Sequence, residues 1–320
     1  MDRLIEIKNL EKVFYGPGLL KNQKRAVRAV DGVSFGIETN TVFGLVGESG
    51  CGKTSLVRSL LYLDPPNRGE VWFDGTLLGG LSPRDLRSFR KRMQIVFQDP
   101  NSALNPKMRI EDSLAEGLVN IKYPAEHRTR RIEKLLDLVG IAPAHRSRFP
   151  HEFSGGQKQR IVIARSLCME PDFLILDEPV SNLDVSIQAQ IINLLIDLKE
   201  ELKLTYLFIS HDLNLVAYFS DFLGVMYQGR LVELGATGII MQHPCHPYTL
   251  KLFSSIPGKE TAGFRENDNH KETSTIKKSP ESRESCLFVD ACPIGDRSCR
   301  AYRPDLRDIG SGHQVACFKI

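Results

Sequence analysis

The stretch GESGCGKTS, residues 47–55, follows an apolar run at 42–46 that has the length of a buried strand. It fits the pattern Gly-x-x-x-x-Gly-Lys-[Ser/Thr], whose glycines let successive backbone N–H groups face one anionic ligand. A helix that starts near Lys53 would add its free N–H groups and the positive end of its dipole. An ordinary glycine-rich turn is the alternative, but the stretch predicts a phosphate-binding loop between a strand and a helix.

Individual residues of this loop are expected to contact different parts of a bound nucleotide and its Mg²⁺ ion. Lys53 would reach the β and γ phosphates of a nucleotide, and the Thr54 hydroxyl would bind Mg²⁺. Cys51 would contribute only its backbone N–H. The predicted nucleotide contacts in the loop are Gly47, Ser49, Gly50, Cys51, Gly52, Lys53, Thr54 and Ser55.

Composition narrows the class of protein. A hydrophobic share of 42% and a charged share of 25% are typical of a soluble globular chain, and the net charge of +3 gives little support for nucleic-acid binding. No apolar run reaches the roughly 18 residues that would span a bilayer. The first residues alternate like a strand and lack the apolar core of a signal peptide. Seven cysteines without an export signal therefore indicate a reducing compartment.

The order of apolar patterns predicts an α/β fold. Alternating or apolar runs predict strands at 4–7, 30–37, 70–73 and 93–97, and helical periodicity follows over 110–140, 157–167 and 187–202. The runs at 173–176 and 205–209 are apolar throughout. Such strands, separated by helices, indicate a parallel sheet covered on both faces.

Polar residues stand where several of these strands end. Asp177 and Glu178 follow the run at 173–176, in a position where Asp177 could bind Mg²⁺ and Glu178 could activate water as a general base. His211 follows the next buried strand and could contact the γ-phosphate, because parallel strands bring their carboxyl ends to one edge. Gln98 ends another strand, and its amide could touch both Mg²⁺ and water. Solvated strand ends and a structural histidine are the alternatives.

A second helix start has the features of an anion site. In FSGGQKQR, residues 153–160, Ser154 can cap the following helix while Gly155 and Gly156 expose backbone N–H groups. Capping alone would explain the motif in isolation. Two such helix starts about a hundred residues apart could serve one nucleotide if two chains faced each other head to tail.

Together these motifs resemble those of ABC-type ATPase domains, in order and spacing, over residues 3–256: GESGCGKT, Gln98, FSGGQ, LILDEP, VSNLD and His211. The resemblance implies a domain at 1–258 with a mixed sheet, an antiparallel β subdomain and a helical subdomain at about 99–168. It also implies that ATP lies between the loop of one subunit and the other subunit's Ser154, Gly155, Gly156, Gln157 and Asp184.

The same resemblance assigns further roles. Phe14 would stack on adenine, with Tyr15 as the alternative. Glu178 would be the catalytic base. Gln98 would link the nucleotide site to a membrane partner.

Longer stretches, such as FSGGQKQRIVIARSL and HPCHPYTLKLFSSIP, resemble ATPase subunits of oligopeptide and dipeptide permeases. Importers of nickel and glutathione belong to the same subfamily. The resemblance implies a second, non-identical ATPase subunit, two transmembrane permease subunits and an external solute-binding protein. It places the chain at the cytoplasmic face of the membrane. Asn182 stands where these subunits usually have alanine, which should not remove activity because Asp184 is kept.

A cysteine-rich tail at 286–320 follows a polar segment, 259–285, that is too poor in apolar residues to fold alone and is predicted to be a linker. Cys286, Cys292, Cys299 and Cys317 could bind Zn²⁺ or an iron–sulfur cluster, or remain free thiols. Their spacing lacks the paired C-x2-C of common zinc sites, which favours a [4Fe-4S] cluster. The resemblance to peptide-permease ATPases implies the same cluster.

Two other functions are open to such a chain. A soluble ABC ATPase acting on nucleic acid or ribosomes would have two ATPase units or a long coiled-coil insertion, and neither is present. A cluster-regulated ATPase that is not dedicated to transport is compatible with the cysteine tail. The leading interpretation is the ATP-hydrolysing subunit of a peptide importer.

Overall fold

The computed structural model describes residues 3–16, 25–254 and 284–320. The predicted linker lies outside these ranges except for Glu284 and Ser285. The described strands are β1 (Arg3–Gly16), β2 (Arg25–Glu38), β3 (Val42–Val46), β4 (Arg68–Phe73), β5 (Thr76–Leu77), β6 (Met93–Val96), β7 (Phe173–Asp177), β8 (Thr205–Ile209), β9 (Phe222–Tyr227), β10 (Arg230–Ala236), β11 (Arg307–Asp308) and β12 (Gln314–Val315).

The helices of the described ranges lie between and after these strands. None of them has the length and apolar character needed to cross a bilayer. They are α1 (Lys53–Leu60), α2 (Pro83–Arg92), α3 (Pro100–Ala103), α4 (Ile110–Asn120), α5 (Arg128–Leu138), α6 (Gly155–Leu167), α7 (Val185–Leu202), α8 (Leu213–Phe219), α9 (Thr237–Gln242), α10 (Pro247–Ser254) and α11 (Arg297–Ala301).

The larger sheet has the order β11-β12-β10-β9-β3-β8-β7-β6, and its strands from β9 to β6 run parallel. β3 and β8 are buried at every position. Alternate residues of β7 serve two cores: Leu174 and Leu176 face one, and Phe173 and Ile175 face the other. Burial on both faces explains the continuous apolar runs. The carboxyl ends of β3, β8 and β7 therefore lie side by side.

The first part of the chain forms an antiparallel sheet of order β2-β1-β4-β5. β1 and β2 extend well beyond the predicted runs at 4–7 and 30–37 because their pairing continues through several register shifts. These bulges interrupt the alternation of side chains that the sequence pattern depends on.

A helical region lies between β6 and β7, where α4, α5 and α6 pack through buried residues such as Leu114, Leu135 and Ile161. The predicted helical segment at 110–140 is two helices, separated by a turn in which Lys122 has φ 59°. The predicted α/β fold, with a mixed sheet, an antiparallel sheet and a helical region, is confirmed.

The cysteine-rich tail docks on the edge of the larger sheet. β12 pairs with β10 in the register Glu233↔Val315, and the Ala316 N–H donates to the Val232 carbonyl at 2.9 Å. His313 Nε2 lies 2.8 Å from Glu233 Oε1, and both residues are buried. The tail thus continues the sheet of the preceding domain.

Candidate functional site

The glycine-rich loop connects β3 to α1 and passes close to two other strands. Gly47 has φ 155° and Gly52 has φ 113°. A Cβ atom on Gly47 would collide with the Met226 carbonyl oxygen of β9, and one on Gly52 with the Ala29 carbonyl oxygen of β2. Both positions therefore require glycine, because backbone atoms cannot move aside for a side chain.

Lys53 is buried and curls back over this loop. Its Nζ donates to the carbonyl oxygens of Gly47 at 2.6 Å and Glu48 at 3.1 Å. No side chain caps the N-terminus of α1, so its first N–H groups are open to an anion. Thr54 is exposed in the first turn, and Ser55 is half-buried beside it. Ser49 and Gly50 are exposed, whereas Cys51 is buried.

Asp177, the last residue of β7, offers a half-buried carboxylate near the loop. Burial raises its pKa, and the adjacent Glu178 raises it further, whereas the charges of Lys53 and Arg58 lower it. A cation bound here would favour the ionised carboxylate. The assignment of Asp177, Thr54 and Gln98 as Mg²⁺ ligands stays a prediction. Their side-chain oxygen atoms are donors of the kind that Mg²⁺ prefers.

Glu178 is the centre of a contact between three strand ends. Its Oε2 accepts a hydrogen bond from Gln98 Nε2 at 3.0 Å and lies 3.2 Å from His211 Nδ1. Glu178 itself has φ 49°, and its N–H donates to the Ile209 carbonyl of β8 at 2.9 Å. Gln98 also donates to Ser181 Oγ at 3.1 Å, a contact that the sequence patterns do not indicate. The structure therefore brings the three predicted catalytic residues together.

The FSGGQ segment forms the N-terminus of α6. Ser154 Oγ accepts from the Gln157 N–H at 3.4 Å, and Gln157 Oε1 accepts from the Ser154 N–H at 3.0 Å. Ser154, Gly155 and Gln157 are exposed, and Gly156 is half-buried. Their contact with a nucleotide on a second chain stays a prediction.

Two further predicted contacts lie on exposed surface. Asp184 is the N-cap of α7 and makes no side-chain capping bond. Phe14 and Tyr15, near the end of β1, are 42% and 63% exposed. Lys12 Nζ lies 5.4 Å from the centroid of the Phe14 ring. The accessible ring is compatible with adenine stacking, which stays a prediction.

The four predicted cysteines of the tail line one pocket together with His246 and Phe288. Burial raises the pKa of the Cys286 thiol, and negative charge on the other three tail cysteines would raise it further. Thiol groups from four separate positions of the tail therefore line one small pocket. Of the other cysteines, Cys51 lies in the glycine-rich loop and Cys168 is buried at the end of α6, and Cys245 does not line the pocket either.

One contact of the loop was not predicted. The Glu48 N–H donates to the hydroxyl of Tyr248, on α10, at 3.0 Å. The two residues are 200 positions apart in sequence, and no local pattern marks Tyr248 as a neighbour of the loop.

Two known families match the chain. The ABC transporter family matches residues 30–181, which include the glycine-rich loop and Glu178. The family described as the oligopeptide/dipeptide transporter C-terminal region matches residues 232–299, which include most of the tail cysteines.

Curated relatives extend the similarity to the whole chain. The oligopeptide transport ATP-binding protein AppF of Bacillus subtilis (strain 168) is 41% identical over 319 residues, covering 99% of this chain and 97% of that protein. The oligopeptide transport ATP-binding protein OppF of Streptococcus mutans is 48% identical over 258 residues, covering 80% of this chain and 82% of that protein.

Solved structures share the fold. CbiO1 of Clostridium perfringens, part of the ABC transporter complex cbiONQ, aligns with a TM-score of 0.67 and 27% identity, over 80% of this chain and 97% of that one. The ATP-binding cassette MJ0796, in a dimeric post-hydrolysis state bound to ADP and phosphate, aligns with a TM-score of 0.64 and 26% identity, over 73% of this chain and 98% of that one. The chain is an ABC-type ATPase and belongs to the family of ABC transporter ATP-binding proteins that includes the oligopeptide transport ATP-binding proteins.

Proposed function

We propose that this ATPase energises the import of oligopeptides or dipeptides through partner membrane subunits. The ATP-hydrolysing part of this proposal is supported by the contact of Gln98, Glu178 and His211 at the sheet edge that also carries the glycine-rich loop. Relatives described as oligopeptide transport or peptide import proteins align along nearly all of the chain, tail included.

ATP would bind with its phosphates on the loop, where Lys53 would exchange the carbonyls of Gly47 and Glu48 for phosphate oxygens. Asp177, Thr54 and Gln98 would hold Mg²⁺, which would neutralise phosphate charge. Glu178 would polarise the attacking water as a general base, and His211 would contact the γ-phosphate. Phe14 would stack on the adenine ring.

Two ATPase subunits would close head to tail on the nucleotide, and the partner is proposed to be a non-identical paralogue. The positions of Ser154 and Asp184 support an intermolecular role, because both are exposed at helix N-termini and Asp184 makes no side-chain capping bond. Two transmembrane permease subunits and an external solute-binding protein would complete the importer. The chain would sit at the cytoplasmic face of the membrane, with Gln98 near the permease contact.

The tail is proposed to hold a [4Fe-4S] cluster, with Zn²⁺ as the alternative. Four thiols around one pocket fit the donor set of either group. Ligation would stabilise the fold of a tail that has a small core of its own. The tail, 286–320, would then be a metal-dependent unit after the linker.

Affinity purification of the tagged chain from native membranes in mild detergent tests the transport proposal. Two multi-spanning proteins, a second ATPase and a solute-binding protein carrying a peptide would support it. Recovery with ribosomes or nucleic acid, or a binding protein loaded with nickel or glutathione, would contradict it.

Iron, acid-labile sulfide and zinc analysis of anaerobically purified protein tests the cluster. Cys292→Ser should lose the bound metal, whereas Cys168→Ser, which is buried at the end of α6 and does not line the thiol pocket, should retain it. Zinc in place of iron and sulfide would favour the alternative. If neither iron nor zinc is present at a stoichiometric level, both the cluster and the zinc site are excluded.

A further inference from the structure

The peptide unit between Gly47 and Glu48 is held at both ends. Its carbonyl oxygen accepts from Lys53 Nζ at 2.6 Å, and its N–H donates to the Tyr248 hydroxyl at 3.0 Å. Because the two atoms belong to one rigid plane, rotation of this peptide would break both hydrogen bonds. Tyr248 thus fixes the orientation of the carbonyl against which Lys53 rests.

Tyr248 is itself rigidly held. Its side chain is 0% exposed, and its ring centroid lies 4.4 Å from that of Tyr227, on β9. Burial raises the pKa of the Tyr248 hydroxyl well above its usual range, so the group stays neutral at physiological pH. The buried and packed hydroxyl thus serves as a hydrogen-bond partner for the loop.

The same tyrosine packs against the wall of the thiol pocket. Phe288, which is 2% exposed, has its ring centroid 5.6 Å from Tyr248 and 5.4 Å from Tyr227. Phe288 follows Cys286 by two residues and lines the pocket with all four tail cysteines. His246 and Pro247, which directly precede Tyr248, line it as well. One packed aromatic cluster therefore touches both the tail and the nucleotide loop.

We infer that Tyr248 is a positioning residue for the phosphate-binding loop, and that through Tyr248 the folding of the thiol pocket sets the affinity for ATP. The inference rests on the proposed nucleotide and thiol sites and adds a physical connection between them. A tail that loses its order would release Phe288, loosen Tyr248 and leave the Gly47–Glu48 peptide free to rotate.

The first test compares two tyrosine variants of the full-length chain. Tyr248→Phe should weaken binding of a non-hydrolysable ATP analogue by about threefold to tenfold, the loss expected for one hydrogen bond, in calorimetric titration. Amide hydrogen exchange in peptides covering residues 47–53 should become faster without nucleotide. Tyr206→Phe is the matched control, because Tyr206 is equally buried and donates to the Leu195 carbonyl instead. Unchanged affinity and exchange in Tyr248→Phe would overturn the positioning role.

The second test is a double-mutant cycle. Phe288→Ala alone should weaken binding of the analogue, and it should add little when Tyr248→Phe is already present, because both changes interrupt the same connection. Additive losses would mean that the tail acts on the loop by another route. No loss from Phe288→Ala would mean that the tail has no effect on ATP affinity.

Lys53→Ala separates failure of this inference from failure of the nucleotide site. If that variant binds the analogue as well as the unaltered chain, the assigned phosphate site is wrong. If it loses binding while Tyr248→Phe does not, only the inference fails. Both measurements use the isolated chain, so neither depends on the transported solute.

Discussion

The buried ammonium group of Lys53 has hydrogen-bond partners in the loop that phosphate oxygens could replace. Removing an ammonium group from water is costly unless donors are satisfied, and two loop carbonyls satisfy it here. Carbonyl oxygens are weaker partners for an ammonium group than phosphate oxygens. The Lys53 side chain thus lies next to the proposed phosphate site before a nucleotide binds.

Lys53→Ala should weaken ATP binding by about tenfold to a hundredfold, because hydrogen bonds between charged groups are lost. Equilibrium titration with a fluorescent ATP analogue measures the change. Lys134→Ala, at an exposed position of α5, is the control and should leave affinity unchanged. Equal affinity of the Lys53 variant would contradict the role assigned to the loop.

The backbone conformation and side-chain contacts of Glu178 fix the position of its carboxylate. Its positive φ is uncommon outside glycine, and Gln98 and His211 both contact its Oε2. An amide in its place would keep the shape but could not accept a proton from water.

Glu178→Gln should retain ATP affinity while the hydrolysis rate falls by about a hundredfold or more. Phosphate release and analogue binding, measured on the same preparation, separate the two effects. Gel filtration with ATP and the partner ATPase subunit should then show a trapped dimer. Steady hydrolysis by this variant would refute the assignment of the base.

At the level of elements, strand β10 determines where the tail binds, because β12 pairs with it. Glu233 on β10 accepts hydrogen bonds from the N–H groups of Cys245 at 2.8 Å and His246 at 2.9 Å, and it also contacts His313. A buried carboxylate with three partners holds β10, the segment before α10 and β12 together.

His313→Ala should loosen the tail, because it removes the side-chain contact between Glu233 and the residue that directly precedes β12. The local cost should be about 1–3 kcal/mol, visible as faster amide exchange over residues 307–317. His127→Ala, at an exposed position, should not change this exchange. Unaltered exchange in the His313 variant would show that backbone pairing alone holds the tail.

At the level of the whole molecule, Asp31 connects three parts of the chain. This residue of β2 accepts from Arg230 Nε at 2.9 Å on the larger sheet, from Arg303 at 3.1 Å in the tail, and from Arg28 at 3.2 Å beside it. Burial acts to raise the pKa of Asp31, but Arg230, Arg303 and Arg28 outweigh it and the pKa is lowered.

Asp31→Asn should lower the free energy of unfolding by about 1–3 kcal/mol at neutral pH, because the partly buried Arg230 and Arg303 lose a charged hydrogen-bond partner. Since the folded pKa lies below the ordinary value of 3.8, the Asp31 contribution is complete above that pH and is lost as the pH falls toward the folded value. Denaturant titration across this range measures both effects. Glu6→Gln, in a partly exposed pair, should cause little change. Equal pH dependence of Asp31→Asn and the unaltered chain would contradict the prediction.

Local patterns in the sequence were sufficient for much of the site. The glycine-rich loop, the acidic pair Asp177-Glu178 and His211 each stand at a strand end, and such ends meet at one edge of a parallel sheet. Strand β7 could be predicted because burial on both faces requires a continuous apolar run, and helix α7 because burial of one face gives its apolar residues a helical period. Strands β9 and β10 were not predicted, although β9 is an apolar run.

Sequence alone thus determined the phosphate loop, the predicted catalytic residues and the four clustered cysteines, because each is encoded in adjacent residues or in short spacings. Only the tertiary structure decided that the tail pairs with β10, that Ser181 contacts Gln98, and that Tyr248 holds the loop. These contacts join distant segments through packing and hydrogen-bond geometry. They depend on the shape of the folded chain and have no period or spacing that a single sequence could display.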